Sequence, residues 1–171
     1  MKTTGTVTVA GQAHAVTGLS WLDREWATNQ LAPDQVGWDW LSLHLSDGSD
    51  LMLYQLLRED GSADPFSSGT LVSPDGTSRH LTRDDFTMKA VPGRSWTSPR
   101  SGGRYPLAWQ LQIPAASLAL ETVPLLPDQE LALEPVAYWE GAVEVSGTRS
   151  GQPVKGEGYL EMTGYASPLR L

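Results

Sequence analysis

Cysteine is absent from this chain, which excludes disulfides, thiolate metal sites and cysteine nucleophiles together. It leaves the compartment open, because exported proteins can also lack cysteine. Basic residues are scarce: 12 Lys and Arg stand against 20 Asp and Glu, for a formal charge of −8 and a pI near 4.7. Nucleic acid and anionic membrane surfaces are recognised by clustered Lys and Arg, so neither is expected as a partner. No apolar run approaches the roughly 20 residues that span a bilayer. The opening MKTTGTVTVAGQ has no apolar h-region and does not read as a signal peptide. His14, His44 and His80 lack ligand-like spacing, so no metal site is expected. There is no G-x-S-x-G elbow and no phosphate loop.

A sustained helical stripe is missing as well, and strand periodicity takes its place. The 171 residues suit one domain, 1–171, with a core of its own. TGTVTVAGQAHAVTG alternates about a turn at Gly11-Gln12, and GWDWLSLHLSDGSDLMLYQLLREDG folds back at Asp47-Gly48. GTLVSPDGTSRHL repeats the pattern around Pro74-Asp75-Gly76. Further strands are predicted at Phe86–Val91, Ala108–Ile113, Leu118–Val123, Tyr138–Ser146 and Gly156–Tyr165, with one helical turn at Pro114–Ser117. Turn signals about every ten residues predict an all-β, antiparallel barrel of about eight to ten strands. The longest irregular stretch, Val91 to Pro106, reads as a rim or lid, or equally as a connector covering one barrel end.

Seven tryptophans are many for this length and fit either a Trp-rich core or a cavity for an apolar ligand. Several stand beside carboxylates. In GLSWLDREW, Asp23 lies between Trp21 and Trp26; in GWDW, Asp39 lies between Trp38 and Trp40. A carboxylate against indole is poorly solvated, which raises its pKa. Such a group is either a proton donor or one half of a structural ion pair. On the strand GWDWLSLHL, Asp39 shares a face with Leu41, Leu43 and Leu45, and Trp38 and Trp40 share the other with Ser42 and His44. A barrel strand with a packed outside and a ligand-facing inside would have this pattern. Glu140 and Glu144 fall with Tyr138, opposite Trp139; Tyr159, Glu161, Thr163 and Tyr165 share one face. For Glu140, Glu144 and Glu161, solvation or pairing with Arg is the stronger expectation.

Taken in order, GLSWLDREW, GWDWLSLHLSDGSDLMLYQLLREDG, SGTLV, DDFTM, WTSPRSGGRYPLAWQLQIP, DQEL, YWEGAVEVSG and GYLEMTGY resemble a family. They are similar to the C-terminal lipocalin-like domain of the carotenoid 1,2-hydratase (hydroxyneurosporene synthase) and AttH-like family. The resemblance runs from about Gly5 to Tyr165. It implies a calycin-type barrel, the second of two in a protein about twice this length, so that an N-terminal lipocalin-like barrel becomes the expected partner. Hydratase members add water across a terminal isoprenoid C=C bond without a cofactor, an aspartic acid beside an aromatic residue protonating the alkene. The motif carrying that acid resembles SWLD here, which maps it to Asp23 and its aromatic neighbour to Trp21.

This sequence departs from the family in three ways. The N-terminal barrel with its His/Trp pair has no counterpart before Thr3. Arg24 stands where many relatives have His. The REW…GWDW form is closer to the AttH-like branch, often called secreted hydrolases. Two readings follow. One is a cofactor-independent hydratase acting on a long isoprenoid-like substrate, with Asp23 as acid and Trp21, Trp26, Trp38, Asp39, Tyr54, Trp139, Tyr159 and Glu161 around the ligand. The other is a non-catalytic module of a cell-envelope protein that holds a lipid or other hydrophobic small molecule. A periplasmic or envelope location is implied by resemblance alone.

Overall fold

The computed structural model describes residues 1–26, 31–133 and 136–169. Strands account for nearly all of the regular structure. The chain opens with β1 (Lys2–Val9) and β2 (Gln12–Leu19), a hairpin in which Ala10 and Gly11 both take positive φ between Val9 and its partner Gln12. Two positive φ values at a two-residue turn match the twist of the flanking strands. Every residue of both strands is exposed except for the partner strand itself.

Next come β3 (Gln35–Leu45), β4 (Asp50–Arg58), β5 (Ser68–Val72), β6 (Ser78–Thr82) and β7 (Thr87–Ala90). The short β8 (Ser95–Thr97) and β9 (Arg104–Pro106) pair with each other. The chain finishes with β10 (Trp109–Ile113), β11 (Leu118–Pro124), β12 (Glu130–Leu133), β13 (Val136–Arg149) and β14 (Gln152–Met162). The main antiparallel sheet runs β6-β5-β4-β3-β14-β13-β11-β10-β7, with β12 added on β13. The Asp47-Gly48 turn joins β3 to β4, Gly48 at φ 83° and the Asp47 carboxylate accepting from the Ser49 N–H. Pro114–Ala116 forms the expected single helical turn.

The two end strands of this sheet, β6 and β7, are consecutive in the chain, linked by a 3-10 turn at Arg83–Asp85. So short a link cannot reach across a flat ten-stranded sheet, so the sheet curls until its ends meet. Leu81 of β6 and Met88 of β7 enter the same core as Leu41, Leu43, Leu51, Leu53, Leu111, Leu120, Val143 and Leu160. Among the described residues no ladder joins β6 to β7; the turn and the shared core close the wrap.

The direction of the faces corrects the sequence reading. Leu41 and Leu43 are fully buried and Leu45 nearly so, so the aliphatic face of β3 points inward and packs the interior. Trp38, Trp40, Ser42 and His44 lie on the outer face. Branched aliphatic side chains fill a narrow barrel well and carry no polar atom needing a partner, which is why on β3 they, and not Trp38 and Trp40, take the inside. The segment 91–106 is packed into the fold: Tyr105 is fully buried and Trp96 packs against the core with its ring 6.1 Å from that of Tyr105.

Candidate acidic and aromatic groove

The outer faces of β3, β14 and β13 form the floor of a groove, and the segment Leu19–Glu25, leaving β2, forms its roof. The cavity is about 770 Å³, within the range of small-molecule sites. Aromatic walls come from Trp21, Trp38, Trp40 and Tyr159; Asp23, Glu25, Glu140 and Glu161 carry the charge. It continues along the sheet into a second hollow of about 710 Å³ that shares Leu19, His44, Glu144 and Glu157 and reaches Lys155. Trp21 holds the roof down, its ring 5.6 Å from the His44 imidazole.

Register sets the floor. Glu161 of β14 lies directly opposite Glu140 on β13 and Trp40 on β3. The Trp38 indole N–H donates to Glu161 Oε1 at 2.7 Å, and the Trp38 ring meets Tyr138 edge-on at 6.2 Å. Burial pushes the Glu161 carboxyl above the ordinary glutamate range; the Trp38 donor opposes this, and the charges of Glu140, Glu25 and Asp23 add to the rise. A half-buried acid among indoles and other carboxylates is therefore biased towards its protonated form. Burial, then Glu140 and Glu161, also raise the Tyr159 hydroxyl. Asp23 sits at the rim, exposed, accepting from the Trp21 indole N–H at 2.9 Å.

A profile of the AttH-like family matches residues 1–165. The chain belongs to the AttH-like family. A crystal structure of an AttH protein from Nitrosomonas europaea superposes with a TM-score of 0.84 at 38% identity, over 96% of this chain and 49% of that one. Kievitone hydratase from Nectria haematococca shares the fold, with a TM-score of 0.77 at 23% identity over 96% of this chain and 50% of its own. This AttH-like chain thus spans about half the length of the solved relatives it matches. No curated protein matches it.

Of the residues singled out from sequence, the AttH-like fold brings Trp21, Asp23, Trp38, Tyr159 and Glu161 into one groove. The others lie elsewhere. Trp26 is 82% exposed and does not line the cavity, and Trp139 is wholly buried in the core with its indole N–H on the Pro127 carbonyl. Tyr54, cross-strand neighbour of Trp40, donates to the Phe66 carbonyl and does not line the groove. Asp39 points inward, fully buried, accepting from Gln55 at 3.0 Å and from the Tyr165 hydroxyl at 2.8 Å. Sequence reading passed over Glu25 and Glu157, placed Trp40 and His44 on the face of Trp38 without naming them as site residues, and expected Glu140 and Glu144 to be solvated or paired with Arg. Their alternation with Trp38, Ala142 and Tyr159 on three strands was the available signal, but only the pairing of β13 with β14 and β14 with β3 unites them.

Proposed function

We propose that this AttH-like domain binds a long hydrophobic ligand in the groove and, in a chain carrying both halves, adds water across a C=C bond of that ligand. Glu161 is the acid of this reading and Asp23 its partner. The Glu161 O–H delivers its proton to one alkene carbon, the π electrons forming the new C–H bond. The cation left on the other carbon faces the indoles of Trp38 and Trp40, whose π faces attract positive charge. Water then bonds to that carbon and loses a proton to Asp23; solvent exchange returns the proton to Glu161. The observation that carries the reading is the placement of Glu161 half-buried among indoles, on the Trp38 N–H and opposite Glu140, while Asp23 stands exposed at the rim, because two carboxyls in unlike surroundings can divide acid and base roles. That a structural neighbour bears the name of a hydratase agrees with it. A terminal isoprenoid, as in carotenoid hydratases, is the substrate class the resemblance implies, and an envelope location goes with it.

The test is incorporation of heavy oxygen. An isoprenoid with a terminal trisubstituted alkene is incubated with the two-barrel relative in 18O-water. The proposal expects a labelled tertiary alcohol, and its loss by at least 100-fold in the variants at the positions equivalent to Glu161→Gln and Asp23→Asn. Unlabelled substrate recovered from the unmodified protein, with saturable quenching of tryptophan fluorescence by the same compound, would favour the second reading. That reading is a binding module without turnover, and the exposure of Asp23 at an open rim speaks for it.

A further inference from the structure

Two pairs of glutamates face each other across the β13–β14 ladder on the groove floor. Glu140 stands opposite Glu161 and, one step beyond Ala142 and Tyr159, Glu144 stands opposite Glu157. Like charges directly opposite in an antiparallel pair are destabilising, and here the arrangement occurs twice on one face. None of these four, nor Asp23 or Glu25, forms an ion pair among the described residues. Five arginines are committed to acids elsewhere: Arg58 to Asp34 and Asp64, Arg79 to Asp85, Arg94 to Glu121, Arg100 to Asp128 and Glu130, and Arg149 to Asp47. Arg83 and Arg104 donate to the Phe86 carbonyl and the Ser95 hydroxyl, and Arg24, on the roof segment between Asp23 and Glu25, does not line the cavity. Among the described residues Lys155 is the only Lys or Arg in the lining, at the far end, and the His44 imidazole there is already held by Asp50. No group of side chains among the described residues is arranged to hold a metal ion. What the floor lacks is therefore an organic positive charge, and the π faces of Trp21, Trp38, Trp40 and Tyr159 beside it suit the same charge.

We infer that the groove selects ligands by charge, taking an apolar body that carries a protonated amine and rejecting anionic amphiphiles such as fatty acids. The amine lies between Glu140 and Glu161, its positive charge drawing Glu161 into the carboxylate form that the empty groove disfavours, with its apolar chain along Tyr159 towards His44. The second pair, four residues along the strands and so about 13 Å away, is a place for a second amine. This rests on the groove being the ligand site and adds the chemical class of what enters it.

Three ten-carbon probes differing only at the head separate the possibilities: decylammonium, decanol and decanoate, with 1,10-diaminodecane as a fourth. Binding to the purified chain is followed by tryptophan fluorescence and calorimetry below the micellar range. Decylammonium should bind at least tenfold more tightly than decanol, decanoate should not bind, and the diamine should exceed decylammonium. The preference should shrink as salt rises, and Glu140→Gln with Glu161→Gln should cut the ammonium-to-alcohol ratio at least fivefold. Decanol or decanoate binding as well as decylammonium would overturn charge selection while leaving a hydrophobic-ligand site intact. Binding of the amines alone would uphold charge selection and count against the alkene reading. Silence from all four probes would overturn both.

Discussion

Asp39 and Glu161 lie on neighbouring strands, one turned into the core and the other into the groove, and burial lifts both above their ordinary values. For Asp39 the carboxyl rises to about 7, against the pull of the Gln55 and Tyr165 donors. The sign of the linkage follows. Above the ordinary value of 3.8 the unfolded chain releases this proton, whereas the native chain keeps it to about pH 7. The native state therefore binds more protons, and stability falls as pH rises through that window. Between pH 5 and 8 the loss is about 3 kcal/mol. Asp39→Asn has nothing to ionise, and its amide oxygen can accept from Tyr165 while its NH2 donates to Gln55 once that amide turns its oxygen round. Urea melts should then show the decline flattened in the variant, which should be the more stable protein at pH 8. A parallel decline in both would remove Asp39 from the account. The Tyr165 hydroxyl, buried on the same carboxyl, is shifted upward, so it stays a donor throughout.

The β8–β9 hairpin and β12 are tied together by one carboxylate. Glu130, its side chain wholly buried, accepts from the hydroxyls of Ser98, Ser101 and Tyr105 and from the Arg100 guanidinium. Burial alone would raise its pKa, but these four donors outweigh it and hold the group below the usual range. Removing the acceptor strands the three hydroxyls, while Arg100 keeps Asp128, so Glu130→Ala should cost about 3–5 kcal/mol, read as a thermal midpoint lower by about 10 °C. A change under 1 kcal/mol would mean that the hairpin is held by Trp96 and Tyr105 packing alone. Turn chemistry made most elements legible in the sequence: Asp47-Gly48, Pro74-Asp75-Gly76 and the Pro114 turn all fall where their residues demand. The knot around Glu130 was not legible, because its donors come from 25 to 32 residues upstream and no local pattern records such a meeting. The opposite case is β1–β2, whose turn was nearly placed from sequence but whose Val7, Val9 and Val16 stay exposed. A two-stranded hairpin without cover is marginal in water. Amide hydrogens of Lys2–Leu19 should exchange far faster than those of Leu41–Leu45, and equal protection would show that the hairpin is covered in solution.

At the scale of the molecule, the sequence carried the all-β antiparallel class and the alternation of faces, but not which face turns inward. A strand reading Asp-x-Leu-x-Leu-x-Leu on one side and Trp-x-Trp-x-Ser-x-His on the other is compatible with either sense. The closing of β6 towards β7 decides it, since the curled sheet needs its close-packed side within. The tryptophans divide accordingly: Trp109 and Trp139 lie in the core, and Trp21, Trp38 and Trp40 line the groove. The groove account rests on Glu161 holding its proton more firmly than a free glutamic acid. Carboxyl NMR titration of the folded chain measures this directly. Glu161 should titrate above 4.5, and higher again in Trp38→Phe, which deletes the indole donor that favours the anion. A Glu161 titration at or below 4.5 would contradict the account.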